Sequence, residues 1–76
     1  MQDDPLHVLV ADVLVTDPGL IDEDSGVGRT ENWDSLRNLM VMAEVERVYA
    51  IKIPFKAYTE ATTVRSIRAL ITPARP

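Results

Sequence analysis

The stretch WDSLRNLMVMAEVERVY, residues 33–49, decides the architecture. Asp34 and Ser35 are residue types that favour a helix start, because a short polar side chain can accept a hydrogen bond from an early backbone N–H. The apolar spacing that follows predicts a helix over 35–49. At ~100° per residue, Val41, Val45, Val48 and Tyr49 gather on one side, and Leu36, Leu39, Met40 and Ala43 on the other. Arg37 and Glu44 lie along one border between these faces, with Asn38 along the other. A helix packed on one side only carries a single apolar stripe. Two stripes mean either burial on both sides or an apolar face kept for a partner.

Upstream, residues 17–34 read as a long, acidic, glycine-containing loop, with Leu20, Ile21 and Val27 as apolar anchors. Loops of this length inside compact domains are uncommon and tend to be functional or disordered. Before it, Asp4 is a helix N-cap and Pro5 suits the first helical position. Leu6, Leu9, Val10, Val13 and Leu14 then recur with a period near 3.6. Leu6, Val8 and Val10 would also make one face of a strand. The start signal and the length of the run favour a helix over 5–16, ended by Pro18 and Gly19.

Downstream, residues 51–54 are short and extended, and Pro54 stops any regular ladder or helix. Residues 56–61 make one short helix. Thr62 and Thr63 offer a hydroxyl cap for a last helix over 63–72, with Val64, Ile67, Leu70 and Ile71 as its inner stripe. Arg65 and Arg68 are expected to point outward, and Pro73 to end the helix. The fold class is therefore all-α. One domain, residues 1–76, forms a small four-helix bundle of three main helices and a short one.

Composition narrows the functions open to such a bundle. The 76 residues allow one modest core, and 46% of them are apolar, which is enough for folding. Without cysteine there is no disulfide, thiolate nucleophile or zinc–thiolate site, and one histidine, His7, cannot build a multi-imidazole metal centre. No apolar run approaches the ~18 residues that span a bilayer, and the first residues lack the basic start of a signal peptide. A cytoplasmic protein without a membrane partner is expected.

The net charge of −4 is unevenly spread. Residues 1–35 hold nine acids against Arg29, and residues 36–76 hold seven bases against Glu44, Glu46 and Glu60. Those bases are scattered and form no concentrated face, so no nucleic-acid partner is expected. Asp22, Glu23, Asp24 and Glu31 do not follow a calcium-loop series, so no metal is expected and a solvated acidic loop is the reading. His7 is read as a surface histidine. Ser25, Ser66 and the threonines lack a base-bearing constellation, which leaves no catalytic residues and no enzyme. Met40 and Met42 suit either flexible contact or core filling.

Trp33, Asp34, Ser35 and Leu36, followed by Met42, Glu46, Tyr49, Ile51, Ile53, Pro54 and then Thr62, Thr63 and Val64, resemble the acyl carrier protein family. In that family an Asp-Ser-Leu tripeptide starts the second helix. An acid and an aromatic follow one helix length later, then an extended Ile-x-Ile piece and a Thr-Val pair opening the last helix. The spacing runs without a gap from Ser35 to Ile71.

The resemblance implies a carrier whose Ser35 bears a 4′-phosphopantetheine arm taken from coenzyme A. Asp34 and Leu36 would flank that attachment, with Asp34 either contacting the transferase or serving as a plain cap. The phosphodiester would sit at the positive end of helix two, and the arm's thiol would hold acyl groups as thioesters. By the same resemblance, Val41, Val45 and Tyr49 face the bundle, where acyl chains lodge. Leu36, Arg37, Met40, Ala43 and Arg47 would meet partners. Those partners are a phosphopantetheinyl transferase, an acyl- or aminoacyl-loading ligase, and synthase or transferase enzymes of fatty-acid, polyketide or related secondary-metabolite biosynthesis. The carrier would be a monomer. Aminoacyl or peptidyl cargo, and an unmodified interaction module of the same fold, remain open.

Two departures from the family stand out. Its second helix is commonly acidic, whereas Arg37, Glu44, Glu46 and Arg47 cancel here and Met40 occupies a position where an acid is common. Asn32 and Trp33 also replace the glycines frequent before the motif. The first suggests a dedicated partner set in a specialised pathway, met more by apolar contact than by charge. By the second, the chain resembles free-standing carriers of small or unusual acyl or aminoacyl units in secondary metabolism, unless Trp33 merely covers the loop edge of the bundle.

Overall fold

Four α-helices follow one another in the computed structural model, which describes residues 4–71. They are α1 (Pro5–Leu14), α2 (Ser35–Tyr49), α3 (Phe55–Glu60) and α4 (Val64–Ile71), with a 3-10 turn at Pro18–Leu20. Among the described residues there is no strand, only one isolated antiparallel bridge between Gly26 and Thr63. No helix in them is long and apolar enough to cross a membrane.

α1 begins as its sequence dictates. Asp4 accepts a hydrogen bond from the Leu6 N–H at 2.9 Å, and Pro5 takes the first helical position, where its missing N–H costs nothing. The segment is helix, not strand, and it buries Leu6, Leu9, Val10, Ala11 and Leu14. It stops two residues short of the expected 16. Val15 turns into the left-handed region at φ 57°, and its N–H folds back to the carbonyls of Ala11 and Asp12. Pro18 then opens the 3-10 turn, capped by Asp17 through the Gly19 N–H at 2.8 Å.

α3 starts at Phe55, one residue earlier than expected. The extended Pro54 serves as its N-cap residue, and the Pro54 carbonyl accepts from the Ala57 N–H at 2.9 Å. α4 starts with a reciprocal cap. Thr63 Oγ1 accepts from the Ser66 N–H at 3.1 Å, while Ser66 Oγ accepts from the Thr63 N–H at 3.0 Å. This is the capping-box arrangement with serine in place of the usual acid. Val64 and Ile67 are buried, and Leu70 and Ile71 are half-buried against them. The expected end of this helix at 72 and its stop at Pro73 lie outside the described residues.

One core joins the four helices. Leu6, Val10 and Leu14 of α1, Val41, Met42 and Val45 of α2, and Val64 and Ile67 of α4 are essentially inaccessible. The radius of gyration, 11.6 Å, matches the ~11 Å expected of a compact domain this long. Two expected positions differ. Leu20 lies in the solvent while Ile21 alone of that pair is buried. Val48 belongs to the exposed side of α2, because Asn38, Val41, Met42 and Val45 form the buried stripe and Val48 falls beyond its edge. Met42 fills the core, whereas Met40 is exposed.

The acidic loop is solvated at Asp22, Asp24 and Glu31, as expected, but Glu23 is half-buried and tied down by ion pairs. Arg68 does not point outward: its guanidinium reaches Glu23 at 2.9–3.0 Å and Asp4 at 2.8 Å. His7 is likewise half-buried, with Nε2 2.9 Å from Glu23 Oε2. Glu23 thus gathers α1 and α4 onto the loop, and Arg65 adds an exposed pair with Asp24 at 2.9 Å. The Arg68 guanidinium first, and His7 second, lower the Glu23 pKa to about 2. Arg68 also lowers the pKa of Asp4.

Candidate functional site

The site singled out by the sequence lies where the loop enters α2. Backbone contacts fasten the approach to the start of α4: the Val27 N–H donates to Thr62 O at 2.9 Å, and the Val64 N–H to Ser25 O at 3.0 Å. Gly26 touches Thr62 so closely that a Cβ there would collide with the Thr62 carbonyl oxygen. A tight turn follows, in which the Arg29 and Thr30 N–H groups both reach Gly26 O. Asn32 then takes a left-handed conformation, φ 70°, a region asparagine tolerates better than most residues.

Trp33, the next residue, is buried. Its indole Nε1 donates to Asn38 Oδ1 at 3.0 Å, and Asn38 Nδ2 donates to the carbonyls of Ala61 at 3.1 Å and Tyr58 at 3.3 Å. Asn38 sits one turn before Val41 and Met42 on the same stripe, and its whole amide is satisfied. This network holds the loop, α2 and the α3–α4 connection together. Its signal in the sequence is the spacing of Asn38, Val41, Met42 and Val45, which continues the buried stripe through a polar residue.

With Trp33 anchored, the chain turns out to the surface. Asp34 is extended and accepts from the Arg37 N–H at 2.8 Å, which makes it a true N-cap. Ser35 is the first helical residue and is exposed, and its hydroxyl makes no hydrogen bond among the described residues. Leu36 beside it is 65% exposed, Met40 48% and Leu39 43%. Ala43 is exposed on the same side. Of the two options for a two-faced helix, the structure has the open face.

Charges along α2 are mostly occupied. Arg47 pairs with Glu44 one turn earlier. Glu46 turns toward α3, accepting from the Tyr58 hydroxyl at 2.5 Å and the Ile53 N–H at 2.7 Å. The Tyr58 hydroxyl, and then the Ile53 N–H, lower its pKa, and Glu46 in turn raises that of Tyr58. Arg37 is half-exposed and forms no ion pair among the described residues.

The residues at this helix start fit a phosphodiester. Ser35 offers an accessible hydroxyl in the first turn, where the leading N–H groups have no intrahelical acceptor and the dipole favours negative charge. A cleft of about 180 Å³ opens beside Ser35, lined by Val27, Asn38, Leu39, Tyr58 and Thr62 among others. A second groove of about 590 Å³ runs between α1 and α2, lined by Val8, Val13, Met40 and Val48 with Glu44 and Arg47 at its polar side.

No protein-family model matches the chain, and no curated protein matches it.

Proposed function

We propose that this protein is an acyl carrier, in which Ser35 takes a 4′-phosphopantetheine arm from coenzyme A. The observation that supports it best is the pairing of a buried Trp33 with an exposed Ser35 two residues later. The anchor fixes the helix start, and the free hydroxyl is presented at its rim. Ser35 Oγ would attack the pyrophosphate of coenzyme A. The new Oγ–P bond replaces the bond to adenosine 3′,5′-bisphosphate, which leaves, and the hydroxyl proton passes to the transferase. Once bound, the arm supplies a thiol for carrying acyl groups as thioesters, chemistry that no side chain here provides.

The exposed Leu36, Met40 and Ala43 support docking of transferase, ligase and synthase enzymes on α2. Because Glu44 and Arg47 neutralise each other and Glu46 is engaged with α3, this docking relies on apolar contact. Binding to a transferase should therefore change little between low and high salt, and a steep loss at high ionic strength would overturn that part. The same apolar face favours a second reading, an interaction module that never takes an arm.

Intact mass separates the two. Incubated with coenzyme A and a broad-specificity phosphopantetheinyl transferase, the wild type should gain one phosphopantetheine and Ser35→Ala none. No gain with several transferases favours the unmodified module, and a gain that survives in Ser35→Ala means another residue is modified.

A further inference from the structure

Of the residues lining the cleft beside Ser35, Asn38 alone is buried, at 3% exposure. Ser35 and Leu39 are exposed, and Val27, Tyr58 and Thr62 are half-buried. Asn38 is therefore where the cleft ends, and Val41, Met42 and Val45 follow it along the same stripe with no accessible surface.

An apolar chain moving inward from Ser35 would meet a polar barrier. It would have to part Asn38 from the Trp33 indole, from Ala61 O and from Tyr58 O, all within 3.3 Å. Each polar group left behind would be buried without a partner, which is the costly case for a hydrogen-bonding group. Glu46 also ties α3 to α2, accepting from the Tyr58 hydroxyl and from the Ile53 N–H just ahead of α3. The open part of the cleft, about 180 Å³, holds on the order of six water-sized groups. Its lining combines the hydroxyl-bearing Ser35, Thr59 and Thr62 with the apolar side chains of Val27 and Leu39 and the Tyr58 ring.

We propose that Asn38 is a specificity-determining residue: it bars long apolar acyl chains from the core, so the loaded group stays at the surface and is short. The inference rests on Ser35 carrying the arm. It narrows the cargo to short groups, with a chain as long as octanoyl left outside the core.

The test loads acetyl, 3-hydroxybutyryl, glycyl and octanoyl groups onto the full chain as acyl-phosphopantetheine, transferred to Ser35 by a broad-specificity phosphopantetheinyl transferase from the corresponding coenzyme A thioesters with release of adenosine 3′,5′-bisphosphate. Intact mass reports loading, and hydroxylamine then releases each group. A thioester drawn into the core is shielded for as long as the core stays closed. The octanoyl group should be released within about two-fold of the acetyl group, with no protection of core amides beyond that of the acetyl form. Release of octanoyl about ten-fold slower than acetyl, with added amide protection, overturns the inference while leaving Ser35 as the attachment point. Absence of any mass gain removes the carrier reading and this inference with it.

Asn38→Ala and Asn38→Leu, checked for helical content by circular dichroism, probe the residue itself. Slower octanoyl release in whichever variant stays folded supports Asn38 as the barrier. Unchanged release in a folded variant assigns the barrier elsewhere. The wild-type comparison decides between core and surface cargo even where both variants unfold.

Discussion

The Trp33 indole donates to the Asn38 side-chain oxygen at 3.0 Å with both side chains buried, so one hydrogen bond links the last part of the loop to the second helix. Trp33→Phe keeps most of the ring volume and removes the donor. Asn38 Oδ1 is then left buried without a partner, and the expected loss is about 1–3 kcal/mol in urea unfolding. For a domain of this length that is a fall in Tm of at least about 4 °C. A Tm equal to wild type would show that the oxygen finds another donor.

Glu23 makes stability depend on pH in a defined direction. Its pKa is about 2 in the folded protein and near 4.5 when unfolded, so the unfolded state takes up the proton first on acidification. The stabilisation is fully present above pH 4.5 and is lost as pH falls toward 2. Because the cluster is partly solvated, about 1 kcal/mol is a realistic size at neutral pH. Urea midpoints of wild type and Glu23→Gln should differ at pH 7 and converge between pH 5 and pH 2. A constant gap over that range would contradict the assignment.

Val15 is a β-branched, exposed residue held at φ 57°, a conformation that disfavours it. Glycine is the residue that normally ends helices this way. Val15→Gly should therefore stabilise the protein by about 1 kcal/mol, the relief of strain exceeding the added freedom of the unfolded chain. Loss of stability would mean that the valine side chain makes a contact worth more than its strain.

Gly26 tests the fastening of the loop to α4. A methyl group there meets the Thr62 carbonyl and the Thr63 side chain, neither of which has room to withdraw while the Gly26–Thr63 bridge is kept. Gly26→Ala should cost about 1–3 kcal/mol. Gly28→Ala is the informative control: a Cβ there meets nothing, so its cost reflects only the positive φ of 79°. Equal stabilities for wild type and Gly26→Ala would refute the close approach.

The parts of this fold legible in the sequence are those fixed by neighbours along the chain. Asp4 and Pro5 announce α1, Asp34 announces α2, and the periodic residues of α2 span its full observed length. The second apolar face, with Leu36, Met40 and Ala43, also follows from helical spacing, but spacing does not decide between its burial and its exposure. What the chain hides are relationships across distance. Arg68 looks like a solvent-facing base until Glu23 is brought beside it, and His7 looks like a surface residue for the same reason. Asn38 looks like a border residue because polarity outweighs position until its partners Trp33, Tyr58 and Ala61 are known. Val15 offered no signal, since nothing local favours a left-handed valine.

The contact between Asp4 and Arg68 joins positions 64 apart, and this separation has a kinetic meaning. Closing a loop of that size costs about 4 kcal/mol of chain entropy beyond a fixed constant, so the ion pair forms only after other contacts have gathered the ends. Interactions made that late act on the rate of leaving the native state. In stopped-flow experiments Arg68→Met should unfold faster while refolding at nearly the wild-type rate, and an equal slowing of refolding would place the pair in the nucleus. The cluster around Glu23 then sets how long each folded molecule lasts, and has little bearing on how quickly it is made.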